Sequence, residues 1–188
     1  MENTCCFTGY RPHRFAFSSQ GLRPEQVQAA LGEQIAGLYA AGCRRFISGM
    51  CIGVDLWAAE EVVQLQQLHP EAELIAAIPF EGQESYWSLA EKQQYHRLLA
   101  CCAQVHILSS REQAAENAPA CYLRRNIWMV DHADTVLAVY SSAKADNRSG
   151  TAATVRYARR QQRRILYIHP QTLAVTEEAV RQLQFELP

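Results

Sequence analysis

Apolar positions recur along the chain with two different periods, and the two take turns. Val27, Leu31, Ile35 and Leu38 fall at helical spacing behind Pro24, a residue favoured at the first position of a helix, and Gly42 follows at the far end. Val54, Ala58, Val62 and Leu65 trace a second helical face within residues 54–68. Between and beyond these lie short apolar runs of strand length: CCFT (5–8), RRFIS (44–48), ELIAAIP (73–79), QVHIL (104–108), TVLAVY (135–140) and RILYI (164–168). Further helices are predicted over about 85–100, 120–132 and 151–160.

Strand and helix in turn imply a parallel sheet covered on both faces, because each parallel connection needs a crossover. The expected fold class is α/β, a Rossmann-like three-layer sandwich with a mostly parallel sheet. No internal repeat appears, and residues 1–188 are read as a single domain of ordinary size.

Composition narrows the function classes. A formal net charge of -1 provides no global field to recruit nucleic acid or an anionic membrane, so any such binding must be local. No run reaches the length of a membrane span, and the polar start MENT lacks a signal-peptide pattern, so the expectation is a cytoplasmic protein without a membrane partner. The seven cysteines are an odd number and two pairs are chain neighbours; they read as small buried hydrophobes in a reducing compartment. The six histidines show no metal-ligand spacing, and no metal site is expected.

In parallel α/β sheets, ligands gather at the carboxyl ends of the strands. Three loops fall there: TGYRP (8–12), SGMCIGVD (48–55) and the loop ending NRSGT (147–151). Each contains glycine, and the last two run into a helix whose free N–H groups suit phosphate. Gly49 and Gly53 are expected to form a tight anion-cradling turn, with Asp55 either capping the helix or holding a ribose hydroxyl. Neither G-x-G-x-x-G nor G-x-x-x-x-G-K-[ST] is present.

CCFTGYRP, SGMCIGVD with LWAAE behind it, AAIPFEGQESYW, and RRNIWMVDHADTVLAVY followed by SGT together resemble the YpsA-like family, a bacterial branch of the SLOG superfamily. That superfamily also holds the DNA-processing protein DprA and the phosphoribohydrolases called LOG proteins. The resemblance runs from about residue 4 to 168. It implies a SLOG-type modified Rossmann fold whose glycine loops bind a nucleotide or an ADP-ribose-like ligand, with no other cofactor, and it implies a homodimer. By motif position it marks Gly9, Arg11 and Pro12; Ser48, Gly49, Gly53 and Asp55; Pro79, Gln83 and Trp87; Arg125 and Asn126; and Ser149, Gly150 and Thr151 as ligand-binding residues.

Physical roles follow for several of these. Arg11 can fork onto a phosphate. Trp87 or Tyr86 can stack on a base, with core packing expected for at least one of them. Thr151 can offer its hydroxyl and N–H to phosphate or cap its own helix.

Two positions depart from the relatives. Tyr10 stands where the first loop commonly carries histidine, which removes an imidazole acid or base. Thr154 stands where LOG proteins carry a glutamate, and a threonine cannot exchange a proton near neutral pH, so LOG-type phosphoribohydrolase activity is disfavoured. Asp131 and Asp134 are other carboxylates, read either as neighbours of this segment or as solvated helix ends. Cys51 lies near a helix start but has no evident histidine partner.

The run RYARRQQRR (156–164) holds five arginines, which either grip nucleic-acid phosphates or complement a helix C-terminus. The leading expectation is binding or sensing of a nucleotide-derived ligand. A hydrolase or transferase on a nucleotide or ADP-ribose derivative, and a single-strand nucleic-acid binder using this arginine-rich helix, stay open as alternatives.

Overall fold

The structure is a computed structural model that describes residues 3–15, 22–141 and 149–178. Asn147 and Arg148 of the third glycine loop lie outside the described residues. The strands are β1 (Asn3–Gly9), β2 (Cys43–Ser48), β3 (Glu73–Ile78), β4 (Gln104–Ile107), β5 (Thr135–Val139), β6 (Arg164–Ile168) and β7 (Val175–Glu178). The helices are α1 (Pro24–Ala40), α2 (Val54–Leu68), α3 (Leu89–Ala100), α4 (Arg111–Asp131) and α5 (Gly150–Arg160), with a 3-10 turn at Pro12–Arg14.

The strands form one sheet in the order β4-β3-β2-β1-β5-β6-β7, parallel throughout except for the antiparallel pair β6–β7. The chain steps outward from β1 to β4, and α4 then carries it back across β1 to β5. Right-handed crossovers therefore place α1, α2 and α3 on one face and α4 and α5 on the other. Packing of α1 on α2, α2 on α3 and α4 on α5 agrees with this. The sheet is thus the Rossmann-like α/β sandwich that the alternation implies, and its direction reverses between β1 and β5. Such a reversal opens a crevice beyond the strand ends.

The core follows from the strands. β1 buries Cys5, Cys6 and Phe7 almost completely, and the Phe7 ring stacks on Phe46 of β2 at 6.2 Å. Burial pushes the Cys6 thiol up to about 12 and that of Cys43 up to about 11, so these cysteines act as inert packing groups.

Two elements were not legible in the periodicity. β7 is an exposed strand of four residues with no apolar run, held to β6 by its ladder and the ion pair Arg164–Glu177 and to α5 by the ion pair Arg159–Glu178. Helix α4 begins nine residues before the expected position 120. Ser110 caps its first segment in a reciprocal capping box with Gln113, and a kink at Asn117 precedes Pro119. The Asn117 Oδ1 accepts a hydrogen bond from Ala120 N at 3.1 Å, so the helix is capped a second time beyond the kink.

Candidate functional site

A cleft of about 530 Å³ opens at the β1/β5 reversal. Three backbone segments wall it: the end of β1 with the turn after it, the start of α2, and the N-terminus of α5. The second segment of α4 closes one side with Tyr122, Arg125 and Asn126. Among the expected site residues, Gly9, Arg11, Asp55, Arg125, Asn126, Ser149, Gly150 and Thr151 line this space.

The SGMCIGVD loop has a different interior from the one its glycines imply. Arg125, only 5% exposed, reaches across from α4 and donates through Nη1 to Asp55 Oδ2 at 3.0 Å and through Nη2 to Cys51 Sγ at 3.4 Å. A Cβ on Gly49 would fall within that guanidinium. Gly49 is therefore needed for room, and what it makes room for is the protein's own cation. Gly53 sits at φ 101°, and a Cβ there would lie 2.6 Å from the Tyr10 carbonyl oxygen, so both conformation and space require glycine.

Asp55 corrects the expectation of a helix cap. Gly53 occupies the cap position, while Asp55 lies in the first turn of α2, where its Oδ2 takes Cys51 N at 3.4 Å and the Arg125 guanidinium. Burial pushes the Asp55 carboxyl above its usual range, against the opposing pull of Arg125. Burial alone would lower Arg125, but its contacts with Cys51 and Asp55 outweigh it and hold the guanidinium above the ordinary arginine value. The Cys51 thiol is also raised, first by burial, which removes thiolate character and argues against a nucleophile there.

Ser48 and Gln83 stand behind the cleft as supports. Ser48 Oγ donates to the Asp55 carbonyl at 2.8 Å and accepts from Met50 N at 3.1 Å, while Gln83 Nε2 donates to the Met50 carbonyl at 3.1 Å. Pro79 is buried just past β3. The first N–H groups of α2 are likewise used internally, Val54 N on the Tyr10 carbonyl and Leu56 N on the Cys51 carbonyl.

The N-terminus of α5 presents the opposite picture. Ser149 caps it by accepting Ala152 N at 3.0 Å. The Thr151 hydroxyl donates to the Gly9 carbonyl at 2.9 Å and so is not free to donate to a ligand. Among the described residues, a Cβ on Gly150 would meet nothing within 4 Å. Gly150 and Thr151, the first two residues of the helix, line the cleft, and the N–H groups of a first helical turn have no acceptors within their own helix. Arg125 adds a buried donor, its Nε, which has no hydrogen-bond partner.

Three cleft residues escaped the sequence reading. Tyr122 lies one turn before Arg125 on the same helix face, with guanidinium carbons of Arg125 and Arg11 at 5.9 and 6.0 Å from its ring centroid. That i, i+3 spacing was the available signal. His13 and Arg14 come from the 3-10 turn after TGYRP, which carries no periodic mark. Tyr10 is buried, and its hydroxyl accepts Ser141 N at 3.3 Å.

A smaller lobe of about 260 Å³ adjoins the cleft across Arg11, His13 and Ile52, and adds Pro12, Trp87 and Glu91. Trp87 is half-buried and meets Tyr95 edge to face at 5.5 Å, whereas Tyr86 is fully exposed.

The remaining candidates lie elsewhere. Asp134 accepts Thr4 N at 3.0 Å at the amino end of β1, and Asp131 accepts the Tyr157 hydroxyl. Both belong to structural contacts away from the cleft. Thr154 is buried and donates to the Gly150 carbonyl. The arginine run is largely occupied: Arg159 and Arg164 pair with the β7 glutamates, Arg163 donates to the Asp131 carbonyl, and Arg160 lies over the Tyr157 ring.

The sequence pattern described as the YspA SLOG family matches residues 5–173. The chain is 32% identical over 143 residues to the UPF0398 protein BH1768 of Halalkalibacterium halodurans, covering 76% of this chain and 74% of that one. It is 33% identical over 123 residues to the uncharacterized SPbeta prophage-derived protein YoqJ of Bacillus subtilis, covering 62% and 70% respectively. Among solved structures, DNA processing protein A from Helicobacter pylori, studied for its single-stranded DNA binding mode, aligns with a TM-score of 0.53 at 18% identity. That alignment covers 88% of this chain but 65% of the other, just under two thirds, and it establishes a shared fold.

Proposed function

This chain belongs to the YspA SLOG family, and we propose that it binds a nucleotide or nucleotide-derived ligand in the β1/β5 cleft, with a phosphate at the N-terminus of α5. The observation that carries this reading is the meeting of the α5 N-terminus and Arg125 on one cleft, the Arg125 Nε being buried without a hydrogen-bond partner among the described residues. A buried donor without an acceptor costs roughly 1–3 kcal/mol, and an anionic oxygen relieves that cost while meeting the positive end of the helix dipole. Arg11 and Arg14 on the exposed rim add charge for capture.

Binding or sensing is favoured over turnover. Asp55 is the one carboxylate that lines the cleft among the described residues, and it is committed to Arg125. Tyr10 and Thr154, at the two positions where the resemblance leads one to expect a histidine and, in LOG proteins, a glutamate, cannot exchange protons near neutral pH.

The test is thermal unfolding against nucleoside mono- and diphosphates, NAD, ADP-ribose and a short single-stranded DNA. A ligand at about a hundred times its dissociation constant adds about 2.7 kcal/mol, a rise of several degrees for a chain of this size. The reading expects such a shift for a nucleotide; a silent panel would remove it.

Single-stranded nucleic acid is the second reading, raised by the DNA-binding topic of the Helicobacter pylori structure. The same cleft would take the strand's phosphates, because the arginines of 156–164 are engaged within the fold. Binding that falls steeply with salt would favour it.

A further inference from the structure

We propose that the ligand carries a second planar ring, joined to the first nucleotide through a phosphate bridge, and that this ring lies in the Trp87 lobe. The inference rests on the nucleotide reading above and extends it from one ring to two. Its basis is the shape of the space: the main cleft and the Trp87 lobe share Arg11, His13 and Ile52 as a common wall.

Each end has its own chemistry. The main cleft holds the donors at Gly150 and Arg125, which suit a phosphate. Beyond the shared Arg11 and His13, the lobe holds a half-buried indole, the apolar Ile52 and Pro12 and one carboxylate, a lining that suits a ring with a polar edge. Glu91, the capping-box partner of Ser88 at the start of α3, takes Ser88 N and Ser88 Oγ on Oε2 and lines the lobe, where its carboxylate can accept from a hydroxyl or amino group on a ring. Arg11 stands between the two spaces, exposed and planar, where a bridging phosphate must pass. A ligand with a single ring at the α5 end leaves the lobe unused.

A dinucleotide bridged by pyrophosphate and a short stretch of single-stranded DNA present this same chemistry, and the experiment separates them. Calorimetric titration compares AMP, NAD and the dinucleotide pTpT against the wild type, Trp87→Ala and Trp87→Phe. One stacked ring is expected to make a two-ring probe bind at least tenfold tighter than AMP. Trp87→Ala should erase that advantage and leave AMP affinity unchanged, and Trp87→Phe should restore part of it. A gain for NAD alone identifies a small dinucleotide, and a gain for pTpT alone identifies a strand. Equal affinity of the wild type for all three probes, or an advantage that survives Trp87→Ala, would overturn the two-ring inference while the nucleotide reading stands. Absence of AMP, NAD and pTpT binding alike would remove both.

Discussion

Two glycine loops that look alike in sequence differ in what fills them. In SGMCIGVD the space that Gly49 leaves is taken by the Arg125 guanidinium, and the first N–H groups of α2 bond to the protein's own backbone. At SGT no described residue would meet a Cβ on Gly150, and the helix N-terminus lines the cleft. Glycine before a helix therefore marks a close approach without saying what approaches. In the first loop it is an internal cation. In the second, on our reading, it is the ligand.

The difference can be broken most severely at Asp55. Asp55→Asn leaves the Arg125 charge buried without its partner and is expected to cost about 3 to 5 kcal/mol of unfolding free energy in urea, whereas the paired change Asp55→Leu with Arg125→Met should recover most of it. Gly49→Ala should cost roughly 1 to 3 kcal/mol, because the guanidinium must shift away from the added methyl. Gly150→Ala, the matching change in the open loop, should stay within about 1 kcal/mol of wild type. Equal losses from the two glycine substitutions would dissolve the distinction.

The smallest effect concerns an edge remote from both loops. Arg164 holds the Glu177 carboxyl below its usual range through a hydrogen bond. A lowered acid contributes stability that is complete above its unfolded value and is lost as pH falls through the folded one. Glu177→Gln should therefore lower stability slightly at pH 7, by no more than about 0.5 kcal/mol for so exposed a pair, and by progressively less as pH falls below the ordinary glutamate range. A larger loss at acid pH than at neutral pH would contradict the assignment.

Much of this arrangement was legible in the chain because parallel strands buried on both faces read as short apolar runs. Each of the six expected strands is present, and the crevice lies where the order reverses. β7 was invisible because an exposed four-residue edge strand has no apolar run to read. The early start of α4 was hidden because its first segment is polar, Arg111 to Glu116 being almost entirely exposed. At the site, the loop pattern pointed to Gly150 and the family resemblance to Arg125, but neither said anything of the relation of Arg125 to Gly49. That contact joins residues 70 or more positions apart across the sheet, and local pattern carries no record of it.

The central claim is that the phosphate sits at the N-terminus of α5 and not in the older-looking cradle of Gly49 and Gly53. Calorimetric titration of ADP into wild type and Gly150→Glu tests it most directly, since a Cβ at 150 meets none of the described residues and an acidic group suits a helix start while repelling an anion. The account predicts an unchanged unfolding midpoint and an ADP affinity at least tenfold weaker, a loss of about 1.4 kcal/mol. Undiminished ADP binding by Gly150→Glu would contradict it.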